Sequence, residues 1–165
     1  MSRQFEDQDL PPQRPKSEGG WHQGVYKVVN YKKYMSTKPP IFRSSWEANV
    51  MYLFDMNEFV VKWGSEVIEV PYINPIDGKA HRYFTDFYVE FKNKNGEYVK
   101  WVIEVKPESK LKPPRQQKRT KTWAYQMNEY VINTAKWNAA RAFCKHKGWE
   151  FKIFTDVEIK MLAGH

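Results

Sequence analysis

In the stretch WVIEVKP, residues 101–107, an acid and a base interrupt an apolar strand pattern. On the two-residue period of a strand, Trp101, Ile103 and Val105 fall on one face, and Val102, Glu104 and Lys106 on the other. A further acid, Asp86, lies in the preceding apolar segment. Opposed carboxylates on paired strands stand about 5 Å apart at Cβ. Like charges that close are destabilising unless positive charge sits between them. Lys106 supplies one such charge, and a hard divalent cation bound through oxygens, Mg²⁺ with Mn²⁺ as a substitute, supplies the rest. A centre of this kind can lower the pKa of a bound water and stabilise charge developing on a phosphodiester. A lone Glu-x-Lys, by contrast, is ordinarily a surface ion pair worth almost nothing in stability. The difference lies in whether Asp86 is in register.

The turn between the two segments, KNKNGEY, decides that register. A two-residue turn at Asn95-Gly96 opposes Phe87 to Glu104. A three-residue loop, Lys94-Asn95-Gly96 with a left-handed Gly96, opposes Asp86 to Glu104. Only the second puts Phe87, Val89, Phe91, Trp101, Ile103 and Val105 on one face. A one-residue slip inverts a strand's faces, so burial favours the consistent register. The three-residue loop is expected, with Asp86, Glu104 and Lys106 together on the opposite, open face.

The elements that must hold these residues can be read from the surrounding pattern. Residues 1–20 are polar, Pro-bearing and without period, and read as a flexible tail; 21–165 read as one domain. A short strand is expected near 26–31. RSSWEANVMYLFDMN reads as a helix, with Trp46, Val50, Leu53 and Phe54 at helical spacing and Ser44 as N-cap. Three strands are expected at 60–70, with a break at Gly64, then 82–91 and 98–106. Pro107, Pro113 and Pro114 make the segment after Lys106 a loop. Residues 118–147 read as one helix or two, with Asn133 or Thr134 as the second cap. WEFKIFT reads as a last strand, and a short helix begins at Thr155-Asp156. The order αβββαβ predicts an α/β fold with a central mixed sheet flanked by helices.

Composition narrows the chemistry. The chain has 165 residues, one cysteine and a net charge of +8. A lone Cys144 excludes an intrachain disulfide framework, and its helical neighbours Trp137, Ala140 and Phe143 make it a core residue. No apolar run approaches a membrane span or a signal core, so a soluble, intracellular type of protein is expected. His22, His81, His146 and His165 lack metal-ligand spacing, which argues against zinc. The charge is concentrated between Lys106 and Lys121: seven bases (Lys106, Lys110, Lys112, Arg115, Lys118, Arg119, Lys121) stand against Glu108 alone. Such an excess suits a polyanion, DNA first, although a solvated basic loop has the same composition. Arg82 reads equally as a phosphate contact near the acids or as a strand-edge charge.

Thr85-Asp86 followed by Glu104-Val105-Lys106 on the next strand resembles the PD-(D/E)XK nuclease superfamily. Thr85 stands where proline is common, at a position without a chemical role. With SSWEANVMYLFD before the strands and AKWNAARAFCKHKGWEFKIFT after them, the resemblance spans roughly residues 42–156. It is similar to the TnsA-like branch, and within it to the head-completion nucleases of T-even-type phages. The resemblance implies a single restriction-endonuclease-like domain that hydrolyses DNA endonucleolytically. It implies Asp86 and Glu104 as metal ligands, Lys106 as the residue assisting the attacking water, and a further glutamate on the first helix, which falls on Glu47, as a ligand to the metal or its water. Glu47 is also placed for a capping box with Ser44, a purely structural use. Phage head or connector proteins as partners, and a location in the infected cell's cytoplasm or the virion, are implied as well. Two other readings share these residues: a component that holds DNA without cutting it, and an RNA-processing enzyme.

Overall fold

The computed structural model describes residues 23–115 and 118–163. The tail read at 1–20, His22 and His165 lie outside the described residues. The central hairpin pairs β6 (Phe87–Lys92) with β7 (Tyr98–Val105), Phe87 opposite Ile103 and Lys92 opposite Tyr98. This is the register of the three-residue loop. The Asn93 N–H donates to the Glu97 carbonyl at 2.9 Å, and Gly96 has φ 77°, a conformation that side chains with a Cβ resist. The Asn93 carboxamide oxygen accepts from the Asn95 and Glu97 N–H groups, holding the turn from inside.

On either side of this hairpin lie β3 (Val60–Ser65), antiparallel to β6, and β8 (Glu150–Phe154), parallel to β7. The result is a mixed sheet in the order β3-β6-β7-β8. A parallel pair needs a crossover, and α2 (Lys121–Lys147) supplies it. It is one uninterrupted helix. Neither Asn133 nor Thr134 caps a second one: Asn133 is buried, and the Thr134 hydroxyl donates back to the Tyr130 carbonyl at 2.8 Å. Thr120 caps its start by accepting from the Trp123 N–H.

Helices α1 (Ser45–Met56) and α3 (Asp156–Ala163) serve one face of the sheet, where Val50, Met51, Phe54 and Ile159 join Phe87, Val89, Ile103 and Val105 in one core. Ser44 caps α1 as expected, accepting from the Glu47 N–H at 3.2 Å. On the opposite face Cys144 packs with Tyr88 and Val102, and Trp137 and Ala140 pack with Tyr72 and Tyr83. The face carrying Glu104 was expected to be open. It is covered, and Glu104 is only 7% exposed.

Three boundaries differ from the sequence reading. Residues 26–31 do not form a strand; only β1 (Gly24–Val25) pairs, with β2 (Ile41–Phe42). The fully buried Asp55 captures this segment instead, accepting from the Val29 and Asn30 N–H groups and the Tyr26 hydroxyl at 2.7–2.9 Å. The strand at 60–70 is broken beyond Gly64 rather than at it, with Glu66 at φ 54°. Gly64 lies inside β3, where a side chain would collide with Val67, 2.7 Å away. The segment 82–91 is likewise divided at Thr85-Asp86. The two breaks face each other, the Thr85 N–H donating to the Ile68 carbonyl at 3.2 Å and the Glu66 N–H to the Asp86 carbonyl at 3.0 Å. Beyond them β4 (Glu69–Ile73) and β5 (Ala80–Phe84) form a separate two-stranded hairpin. Among the described residues no helix is long and apolar enough to cross a membrane.

Candidate active site

Asp86 sits where the chain leaves the β4–β5 hairpin and enters β6. The break frees its side chain from ladder pairing, and its Oδ2 accepts the Val105 N–H at 2.8 Å. Glu104, on β7, is reached by the Lys106 Nζ at 3.7 Å and by the Tyr83 hydroxyl, which donates to its Oε2. The carboxyls of Asp86 and Glu104 are close enough that each acts on the other's protonation. Burial and the Glu104 charge raise the Asp86 carboxyl well above the ordinary carboxylate range, against the Val105 N–H and Lys106. Burial raises Glu104 too, opposed by the Tyr83 hydroxyl and Lys106. Such a pair holds a proton at neutral pH unless a cation displaces it.

Glu47 approaches from α1. Its Oε2 accepts the Arg43 N–H at 2.8 Å, so the carboxylate does not close a capping box on the Ser44 N–H. Burial and then the Asp86 charge push its carboxyl up to about 7, against the Arg43 N–H and guanidinium. The Arg43 guanidinium itself is paired with Glu66.

Two residues of the site were not found in the sequence. Tyr83 lies on β5, whose pairing with β4 was hidden by reading 82–91 as one strand. Lys136 comes from the middle of α2, half-buried, with its Nζ 5.4 Å from the centre of the Tyr83 ring and 5.8 Å from that of Tyr72. Burial lowers its pKa, while the Glu104 and Asp86 charges oppose that shift. No local pattern links a helix residue to strands thirty positions earlier.

A divalent metal is the group such a site implies. Among the described residues no three His, Cys, Asp or Glu side chains form a ready cage. The Asp86–Glu104 pair fits a hard ion that keeps part of its water shell, because Mg²⁺ is ordinarily held by one or two carboxylates. The raised carboxyls supply the motive, since bound positive charge would let both crowded carboxyls ionise.

A family model described as TnsA-like endonuclease N terminal matches residues 57–156. The chain belongs to this family. The match takes in Asp86, Glu104, Lys106, Tyr83 and Lys136, whereas Glu47 lies ahead of it. The chain is also similar to the head completion nuclease of Enterobacteria phage T4, 32% identical over 148 residues that cover 86% of this chain and 96% of the relative. The mixed sheet between helices agrees with the restriction-endonuclease-like fold expected of a TnsA-like domain.

Of the remaining candidates, Lys112, Arg115, Lys118, Arg119 and Lys121 are exposed, while Lys110 is paired with Glu129 at 3.3 Å. Arg82 neighbours Tyr83 on β5 and so projects from the other face of that strand. There it pairs with Glu69 at 3.6 Å. The structure does not bring it into the cluster of acids.

Proposed function

We propose that this chain is a metal-dependent DNA endonuclease that hydrolyses phosphodiester bonds and acts on packaged phage genome ends. The observation carrying this reading is the Asp86–Glu104 pair, Glu104 buried and Asp86 half-buried, with Lys106 beside it. Family membership and the name of the phage relative support the substrate and the setting, head completion in an infected cell or virion.

In the proposed mechanism Asp86 and Glu104 would hold Mg²⁺ or Mn²⁺, and Glu47 would engage the metal or its water shell. When bound, the metal supplies a water of lowered pKa and Lewis-acid stabilisation of the phosphate. Lys106 orients the attacking water and offsets negative charge that develops on the phosphate. Tyr83 keeps Glu104 aimed and ionised by donating to Oε2. Lys136 adds a second cation against the same carboxylates. The exposed bases from Lys112 to Lys121, with Arg82 as a peripheral contact, hold the DNA backbone. Purified protein incubated with plasmid and with branched DNA, with and without Mg²⁺, tests the reading. Cleavage that requires the metal is expected. Binding without cleavage in either metal would favour a DNA-holding component instead.

A further inference from the structure

Between the 3₁₀ turn Glu108–Leu111 and the first half of α2 lies a cavity of about 180 Å³ that the proposed chemistry does not use. Both of its walls continue from the acidic centre. The turn begins two residues after Lys106, and Asn133 on α2 lies one turn from Lys136. The cavity and the acidic centre therefore share neighbouring stretches of the same two segments.

The lining is chemically specific. Gln126 and Asn133 contribute amides, each able to donate and accept; Tyr130 contributes a ring; Glu129 contributes a carboxylate already paired with Lys110. Asn133 is 6% exposed, and its Nδ2 has no hydrogen-bond partner among the described residues. A buried donor left unsatisfied is costly, so an acceptor is owed there. A phosphate would supply one but would meet the Glu129 carboxylate. A nucleobase is neutral, carries donors and acceptors along one edge, and offers a face to an aromatic ring. Lys112, on the same wall, supplies charge for a flanking phosphate.

We propose that this cavity is a subsite for one unstacked nucleobase of the bound strand, a reading that rests on the DNA-nuclease function above. The base must leave the helical stack to enter, which is easiest where it is already unpaired. Recognition then depends on one nucleotide of the bound strand, in addition to the diffuse backbone contacts of the basic run.

The test uses the full chain in EDTA and short duplexes carrying one unpaired nucleotide, with 2-aminopurine walked through successive positions. At one position, binding is expected to raise the fluorescence several-fold. Gln126→Ala and Tyr130→Leu should each remove most of that rise and weaken binding roughly 5-fold or more. Gln126 is exposed, so its variant should fold normally. An abasic site at the responding position should weaken wild type equally, and the variants should then lose nothing further. No responding position, or equal losses on intact and abasic DNA, would overturn the subsite. Cleavage of the same duplexes with Mg²⁺ or Mn²⁺ separates the two readings. Cleavage without a fluorescence response sinks only the subsite; a response without cleavage sinks only the nuclease. The absence of both a fluorescence response and cleavage on all of these DNAs would overturn both.

Discussion

Asp86 closes the β6–β7 ladder with its side chain: its Oδ2 takes the Val105 N–H at 2.8 Å, one residue beyond Glu104. The same bond that aligns the strands thus holds the two acids together. Burial and the neighbouring Glu104 charge nonetheless push the Asp86 carboxyl up to about 8 from an ordinary 3.8, although the Val105 N–H and Lys106 pull it down. Between these values the folded chain keeps a proton that the unfolded chain has lost, so this group makes stability fall as pH rises. Asp86→Asn is expected to raise the melting temperature at pH 8–9 in the absence of metal, by about 2–4 °C for each kcal/mol relieved. The gain should shrink toward pH 4. A gain that did not vary with pH would remove the electrostatic account.

Lys106 is the residue by which the proposed mechanism can be told from mere holding of DNA. If it acts as proposed, Lys106→Ala removes a cation beside the reacting phosphate and should slow single-turnover cleavage on the order of 10²-fold or more. DNA binding, spread over many backbone contacts, should hardly change. Cleavage that survives both this change and Asp86→Ala would place the centre elsewhere.

Tyr83 acts through Glu104. Tyr83→Phe keeps the ring but removes the donor to Oε2, so Mn²⁺ affinity measured by calorimetry or electron paramagnetic resonance should drop about 10- to 100-fold. Unchanged affinity would reduce Tyr83 to a packing role.

Glu47 has a carboxyl raised to about 7. If its ionised form is required, cleavage should decline as pH falls through that value. Glu47→Gln should be slower and should lack this inflection. A pH–rate profile retaining the same inflection in the variant would assign it to another group.

The basic run should show itself in salt. Replacing Lys112, Arg115 and Lys118 together should flatten the slope of log affinity against log salt by about 0.9 per lost duplex contact. Lys110→Ala alone should matter less, because Lys110 is already paired with Glu129. A slope unaffected by the triple change would make the run a solvated surface.

How much of this was legible depends on distance along the chain. The turn residues and the two-residue apolar alternation determined the β6–β7 register, because only one pairing buries both apolar faces together. The helix at Ser45–Met56 and its Ser44 cap were equally local. The break at Thr85-Asp86 was not, since it depends on backbone bonds to Glu66 and Ile68, nearly twenty residues away. The irregular path of 26–31 was decided by Asp55 in the same way. The sequence by itself determined which residues carry the acids and bases, and which of them share a strand face. Only the tertiary structure decided that this face is covered, since α2 and the β4–β5 hairpin bring Lys136 and Tyr83 to it from distant segments. Burial beneath those elements turns an ordinary Asp–Glu–Lys pattern into a site with displaced protonation, because removing water penalises two neighbouring charges far more than exposure does.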